Sequence, residues 1–459
     1  MNILPARDER LDTLTPQPPW PPASQAWYSV FILGLVLTFL QLDLNVLSLL
    51  VEPIKRDWKL SDTEVSLLLG FTIALFYAAL GLPLARFGDR TSRKWLLALG
   101  IGIWSAATVL CGVAQSYWQL FICRVGLGAG ESINGPVSYS LLADLFPRNR
   151  LPRAISVFLF GGAVGNGLGM LGAAGVISLL VAMPPISLGG AGRILGWQMV
   201  LIVVGIPGLL VSALIALTVR EPARRRLQQV AAPKRTMGYT LAFLARNRAV
   251  YGPLYLALAI GSLAMGIAAW TPAFYQRTYG WSPAQVGAVT GITQLFVMPA
   301  GLLAGVFVVE WLARRRADAA LRVVMLSRLL SLPLGVLAPL MPDPWLAVAL
   351  FSTGTFVGGL GIACQNAVLQ IIAPGEIRGQ LTALYLFIPM AFGTGLGPTV
   401  VALVTEHVFH SGADLRYSLA LVSSVLGPVS LAVLWLGSKA YAREINHQQS
   451  ERDALGGPT

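Results

Sequence analysis

The chain has 459 residues, 55% of them hydrophobic and only 12% charged, with a formal net charge of +12 and a mean hydropathy of +0.67. A soluble protein carries about 25% charged residues; here the charges sit in short intervals between long apolar runs. That pattern excludes a soluble protein and a nucleic-acid-binding module, because the basic residues do not share one face. It also excludes a β-barrel, whose segments alternate over about ten residues.

In chain order, residues 1–26 are proline-rich with no apolar core of signal-peptide type, and read as an uncleaved, disordered cytoplasmic tail. Twelve apolar spans follow, centred near Leu37, Ile73, Ile103, Gly128, Gly167, Val204, Ala259, Phe296, Leu332, Phe356, Ala391 and Leu426. Each is long enough for the ~20 residues a helix needs to cross a ~30 Å hydrocarbon core. A basic linker over 219–250 divides a first group of six spans (27–218) from a second (251–438), and 439–459 forms a cytoplasmic tail. With both termini on the cytoplasmic side, the inner intervals hold 26 of the 33 Lys and Arg, counting Arg328 at the start of span nine. The outer intervals hold 6, and Arg124 is intramembrane, which satisfies the positive-inside rule. The outer residues Lys55, Arg56 and Lys59 run against the trend but are offset by Glu52, Asp57, Asp62 and Glu64.

The stretch after span two, GLPLARFGDRTSRK, is echoed after span eight by GVFVVEWLARRR, each leading from an apolar helix end to an acid, Asp89 or Glu310, and a basic cluster. Two similar halves around a midplane site are the design expected of a secondary carrier. The fold expected is therefore an all-α polytopic membrane protein, with twelve transmembrane helices in two pseudo-symmetric six-helix bundles.

The costliest residues are Asp43 in span one and Arg124 and Glu131 in span four. An ionisable group in hydrocarbon costs roughly 2.5–3.5 kcal/mol even on the lenient insertion scale, so it persists where it works. A spacing of seven puts Arg124 and Glu131 near one helix face, about two turns apart. Two carboxylates and one arginine sum to −1. The arginine can neutralise one acid, leaving the other to carry a proton, since a buried carboxyl favours its neutral form. The alternative is a static pair beside a permanently protonated third group. Arg124 can also grip an anionic head group or carboxylate bidentately.

Asp89-Arg90-x-x-Arg93-Lys94 resembles the signature loop between helices two and three of the major facilitator superfamily, with Ser92 replacing the usual glycine and Ala85 standing where glycine is common. A narrower resemblance, from about Trp27 to Lys439, is to the Spinster-like branch. It rests on Leu47–Arg90, on GAGES with LLADLFPRNRLPRAIS, on FLFGGAVGNGLG, on GWQMVLIVVGIPGLL, on VREP and on LRYSLAL. The resemblance implies alternating access, proton coupling through Asp43, Glu131 and Arg124, and a lysolipid or sphingoid-type substrate. It also implies a cytoplasmic gate of Asp89, Arg90, Arg93 and Lys94, with Asp89 facing the start of helix eleven near Arg378. The family pattern usually places a basic residue after the span-one acid; here Asp43 is followed by Leu44 and Asn45, which puts coupling details in doubt at that position.

Span five carries six glycines between Gly161 and Gly172, which read first as a close-packing face and second as a sliding face. Candidate cavity residues are Arg124, Asn166, Trp270, Gln294, Gln365, Asn366 and Tyr385, with Tyr275 nearby. The second half has no mid-membrane acid, so its wall reads as mostly apolar and suits an amphiphile better than a sugar. His407 and His410, three apart beside Glu406, and the scattered Cys111, Cys123 and Cys364 do not read as a metal site. No P-loop or catalytic motif occurs, and no cofactor, metal or nucleic-acid partner is expected. The reading is a monomeric, proton-coupled secondary transporter in a bacterial inner membrane, with membrane lipids, protons and a small amphiphilic substrate as partners. A small-organic-anion carrier is the alternative within that class, and a non-transporting membrane receptor the alternative outside it.

Overall fold

The computed structural model describes residues 19–72, 74, 91–147, 149–187, 193–223 and 237–454. Among the described residues, ten helices are long and apolar enough to cross a membrane: Ala23–Leu49 (span one), Arg93–Cys111 (three), Leu151–Leu180 (five), Gly196–Thr218 (six), Arg248–Tyr279 (seven), Pro283–Ala313 (eight), Ala319–Leu340 (nine), Pro344–Ile372 (ten), Arg378–Phe409 (eleven) and Gly412–Gln448 (twelve). Span four is the helix Tyr117–Leu145, made less apolar by Arg124 and Glu131 themselves. Span two is described over Asp62–Phe71; its expected centre, Ile73, lies outside the described residues. The protein is thus a twelve-helix polytopic membrane fold.

Helical structure reaches into the expected tails and linker. Span one starts at Ala23, directly after Pro22, whose ring suits a helix start but not an interior. Met237–Arg246 forms a short helix within the linker, and span twelve continues to Ala454. Arg328 is also displaced from its expected place. It lies inside span nine, where Nη1 donates to the Ala257 carbonyl at 2.9 Å and to Ser430 Oγ. It therefore leaves the tally of loop charges and gives the second half a membrane-embedded cation.

Small residues set the helix spacing. A Cβ on Gly161, Gly165 or Gly169 would meet span-one backbone, at 2.9 Å from Gly34 Cα, 2.6 Å from Thr38 Cα and 2.7 Å from Leu42 N respectively. Spans one and five therefore pack backbone to backbone along the four-residue repeat, and the glycine run is a packing face.

The apolar clusters reveal how the two halves meet. Call the end carrying the chain termini proximal and the other distal. At the distal end one cluster joins both halves: Val46 and Leu50 with Trp270, Phe274 and Val401. Toward the proximal end the halves hold separate clusters, one around Leu97, Leu141 and Phe158, the other around Tyr251, Leu381 and Tyr441. Among the described residues the interior is thus sealed distally. Three spans depart from regular helix where the halves meet, Gly70 of span two lying against Thr394 of span eleven. Span two has a π turn over Leu67–Phe71, span eleven another over Pro389–Leu396, and span seven breaks between Leu263 and Met265. π turns leave carbonyls free of their usual helical partner and cluster at functional sites.

Candidate functional site

Asp43, Arg124 and Glu131 are all buried, at 3%, 2% and 7% exposure. Arg124 faces Asp43, with Nη1 to Oδ2 at 3.8 Å. Thr108 Oγ1 donates to Asp43 Oδ1 at 2.8 Å, and Trp104 Nε1 to Oδ2 at 3.3 Å. Span three therefore supplies the neutral donors and span four the cation, so Asp43 does not depend on an adjacent basic residue; Leu44 packs into the apolar cluster of the first half. Arg124 Nε donates to the carbonyl of Leu68 at 3.2 Å, in the π turn of span two. Arg124 Nη2 and Glu131 Oε2 have no hydrogen-bond partner among the described residues. The sequence brought two charges to one helix face; the fold gives the arginine to Asp43 and leaves Glu131 without an ion pair among the described residues.

Local packing fixes this geometry. A Cβ on Gly130 would lie 2.5 Å from the Gly100 carbonyl oxygen and 2.6 Å from Trp104 N. The glycine beside Glu131 thus lets spans three and four touch, and that contact seats Trp104 against Asp43.

Of the expected gate residues, Asp89 and Arg90 lie outside the described residues. Arg93 is buried, and it clamps the first half internally. Its Nε donates to Glu221 Oε1 at 2.9 Å, Nη1 to Asp144 and to the Ser140 carbonyl at 3.1 Å, and Nη2 to the Pro222 carbonyl at 3.2 Å. Lys94 contributes its backbone N–H to Glu221 Oε2 at 2.8 Å, and Ser92 its hydroxyl at 2.9 Å. Glu221, from the VREP segment, therefore caps the start of span three, where a helix favours negative charge. Burial pushes the Glu221 carboxyl up, but the Lys94 N–H, Arg93 and Ser92 outweigh it and hold it below its ordinary value. These bonds join spans three, four and six of one half; they do not bridge to the other.

An ionic bridge between halves lies at the distal end, and sequence reading passed over it. Arg277 of span seven donates to Glu52 at 2.6 Å, to both oxygens of Asp62 at 2.7 and 2.9 Å, and to the Gly412 carbonyl at 3.0 Å. Lys55 pairs with the same Asp62. Thr63 binds Glu406 through its backbone N–H at 3.0 Å and through its hydroxyl, and Gln276 reaches the Leu49 carbonyl at 3.1 Å. The signal was present as acids offsetting outer bases, but charge counting cannot say which pairs cross between halves.

The cavity candidates bond mainly to protein. Asn166 Nδ2 donates to Gln294 Oε1, while Asn45 Nδ2 donates to Asn166 Oδ1 at 2.7 Å. Spans one, five and eight are thus linked by an amide chain in which Asn45 was not anticipated. Tyr385 donates to the Gln365 carbonyl at 3.0 Å. Trp270 is fully buried in the distal cluster, its Nε1 donating to the Pro398 carbonyl at 2.9 Å, with Arg277 5.4 Å from its ring. Tyr275 stacks on Trp281. Asn366 lies on span ten, but its side chain is outside those described. His407 and His410 face the Leu403 and Glu406 carbonyls of their own helix.

Residues 31–398 match the profile described as Major Facilitator Superfamily. An "MFS-type efflux pump" of Mycolicibacterium smegmatis is 29% identical, the match covering 92% of this chain and 94% of that protein. "Protein spinster" of Drosophila melanogaster is 23% identical over 87% of this chain and 66% of its own length. "Sphingosine-1-phosphate transporter SPNS2" of Danio rerio is 31% identical, over 49% of this chain and 42% of that one. Among solved structures, a bacterial homolog of the human lysosomal transporter Spinster, inward-facing and unoccupied, superposes with a TM-score of 0.76 at 22% identity. That superposition covers 93% of this chain and 98% of the other.

Proposed function

This chain belongs to the Major Facilitator Superfamily, in its Spinster-like branch, and on that premise we propose that it is a proton-coupled carrier of an amphiphilic, lipid-like molecule. It is a membrane transporter and not an enzyme. The observation that carries the coupling is the division of charge at the buried site. Arg124 attends Asp43, and Glu131 has no ion-pair partner among the described residues. In the distally closed state Glu131 carries the proton and Asp43 is the arginine's counter-ion. In the opposite state Arg124 turns to Glu131, whose proton leaves, and Asp43 is released to take one up. The seven-residue spacing places Glu131 within the sweep of a long, flexible guanidinium side chain on the same helix face.

The amphiphilic substrate is supported by the shortage of free polar groups. Asn166, Gln294 and Tyr385 are committed to protein partners, so a sugar would find few donors or acceptors to replace its hydration. The relative from Danio rerio bears the name of a sphingosine-1-phosphate transporter, which agrees with this class. The excess of basic residues in the proximal intervals supports a cytoplasmic placement of both termini, and hence a cytoplasmic-side opening for this state.

Proteoliposomes loaded with a pH dye test the reading against a panel of lysophospholipid, sphingoid base and small carboxylate. Substrate movement is expected to acidify or alkalinise the lumen. Glu131→Gln should retain substrate exchange but lose the response to an imposed pH gradient, and Asp43→Asn should slow both. Unchanged pH dependence in both variants would sink the coupling scheme; movement of the carboxylate alone would overturn the substrate class.

A further inference from the structure

Spans nine and twelve touch closely near their middles and part toward the proximal end. A Cβ on Gly427 would meet Leu332 Cδ2 at 2.1 Å, and one on Gly335 would lie 3.2 Å from Ser423 Oγ, so the helices are in contact at that level. Beyond it, toward the termini, a groove opens on the outer surface of the second half. Its deeper section, about 370 Å³, is lined by leucines including Leu326, Leu329 and Leu431, with Pro428 and Ala432. Its proximal section, about 430 Å³, is lined by Asp318, Arg322, Ser438 and Lys439. Met325 and Trp435 line both sections, so the two are continuous. Trp435 is 60% exposed and Leu329 53%, as expected of a lipid-facing surface.

We propose that this groove holds one anionic phospholipid of the surrounding bilayer, its phosphate between Arg322 and Lys439 and one acyl chain along the leucine-lined section. The polarity changes along the groove in the order a phospholipid requires. Trp435 stands where aromatic side chains mark the membrane interface. Lys439 follows one helical turn later, and Arg322 lies in the first turn of span nine, at headgroup depth. Arg322 holds Asp318 through both carboxylate oxygens, at 2.8 and 2.9 Å. That neutralises the acid and leaves Lys439 as the net positive charge. Basic pockets between transmembrane helices are the usual receptors for anionic head groups. The contact of Gly427 with Leu332 closes the deep end. This surface groove is separate from the Asp43 site, so its lipid is a bound partner and not the transported molecule.

Native mass spectrometry of the full chain in detergent tests this, with phosphatidylglycerol and phosphatidylcholine of equal chain length as probes. Phosphatidylglycerol should be retained in preference, and Arg322→Gln with Lys439→Gln should reduce that preference roughly tenfold. Ala432→Trp, which fills the apolar section and leaves the charges intact, should also lower retention. Arg150→Gln with Arg153→Gln removes two exposed charges from the other half, between spans four and five, and should change nothing. Equal loss in that control would overturn the proposal, as would a preference that survives both groove variants. So would a dimer abolished by Ala432→Trp with no lipid retained.

Discussion

Arg277→Gln should unlock the distal end. The Arg277 side chain is 8% exposed and Asp62's is 2%, and the contacts to Glu52, Asp62 and the Gly412 carbonyl tie span seven to the first half and to the last loop. Deleting one partner of a buried ion pair costs about 3–5 kcal/mol. Lys55 still faces Asp62 in the variant, and the Glu52 side chain is 30% exposed, so water and lysine recover part of that loss. About 2 kcal/mol should remain against the distally closed state, because these bonds cannot survive separation of the halves. At 1.4 kcal/mol per factor of ten, the closed-to-open ratio falls roughly 30-fold. Spin labels at Arg56→Cys, in the first half, and Trp345→Cys, at the distal start of span ten, read this directly by pulsed electron–electron resonance. The parent should show one short distance and Arg277→Gln a second, longer population, with Arg277→Lys between them. An unchanged distance distribution in Arg277→Gln would refute the latch, whatever happened to melting temperature.

The proximal clamp gives a pH signature. Glu221 is held below its ordinary carboxyl value of 4.5, so its stabilisation is complete above about that pH and fades as pH falls through the lowered value. Glu221→Gln should therefore lower the melting temperature by an amount, about 1 kcal/mol in free energy, that is constant from pH 8 to about pH 5 and shrinks in stronger acid. Gly130→Ala should cost about 1–3 kcal/mol by overpacking and slow transport with it, since Trp104 must shift away from Asp43. A variant with parental melting temperature and flux would show that the contact of spans three and four is looser than the structure has it.

Much of this molecule is readable residue by residue. Hydrocarbon penalises each polar group where it stands, so the twelve spans, and the position of Asp43, Arg124 and Glu131 inside them, follow from local composition alone. The four-residue glycine repeat of span five likewise announces a packing face, because helix periodicity is a local property. Arg328 shows where local reading stops. A cation at the edge of an apolar run looks like a loop anchor until two other helices supply a carbonyl and a hydroxyl. The pairing of charges belongs to the tertiary structure throughout. Asp43 and Glu131 both lie within reach of Arg124, and only the approach of spans one, three and four, with Gly130 seating spans three and four together, decides in favour of Asp43. Glu52, Lys55, Asp62 and Arg277 balance as a sum in the sequence. The fold turns that sum into a bridge between halves, because an ion pair depends on separations of a few ångströms between helices distant in the chain.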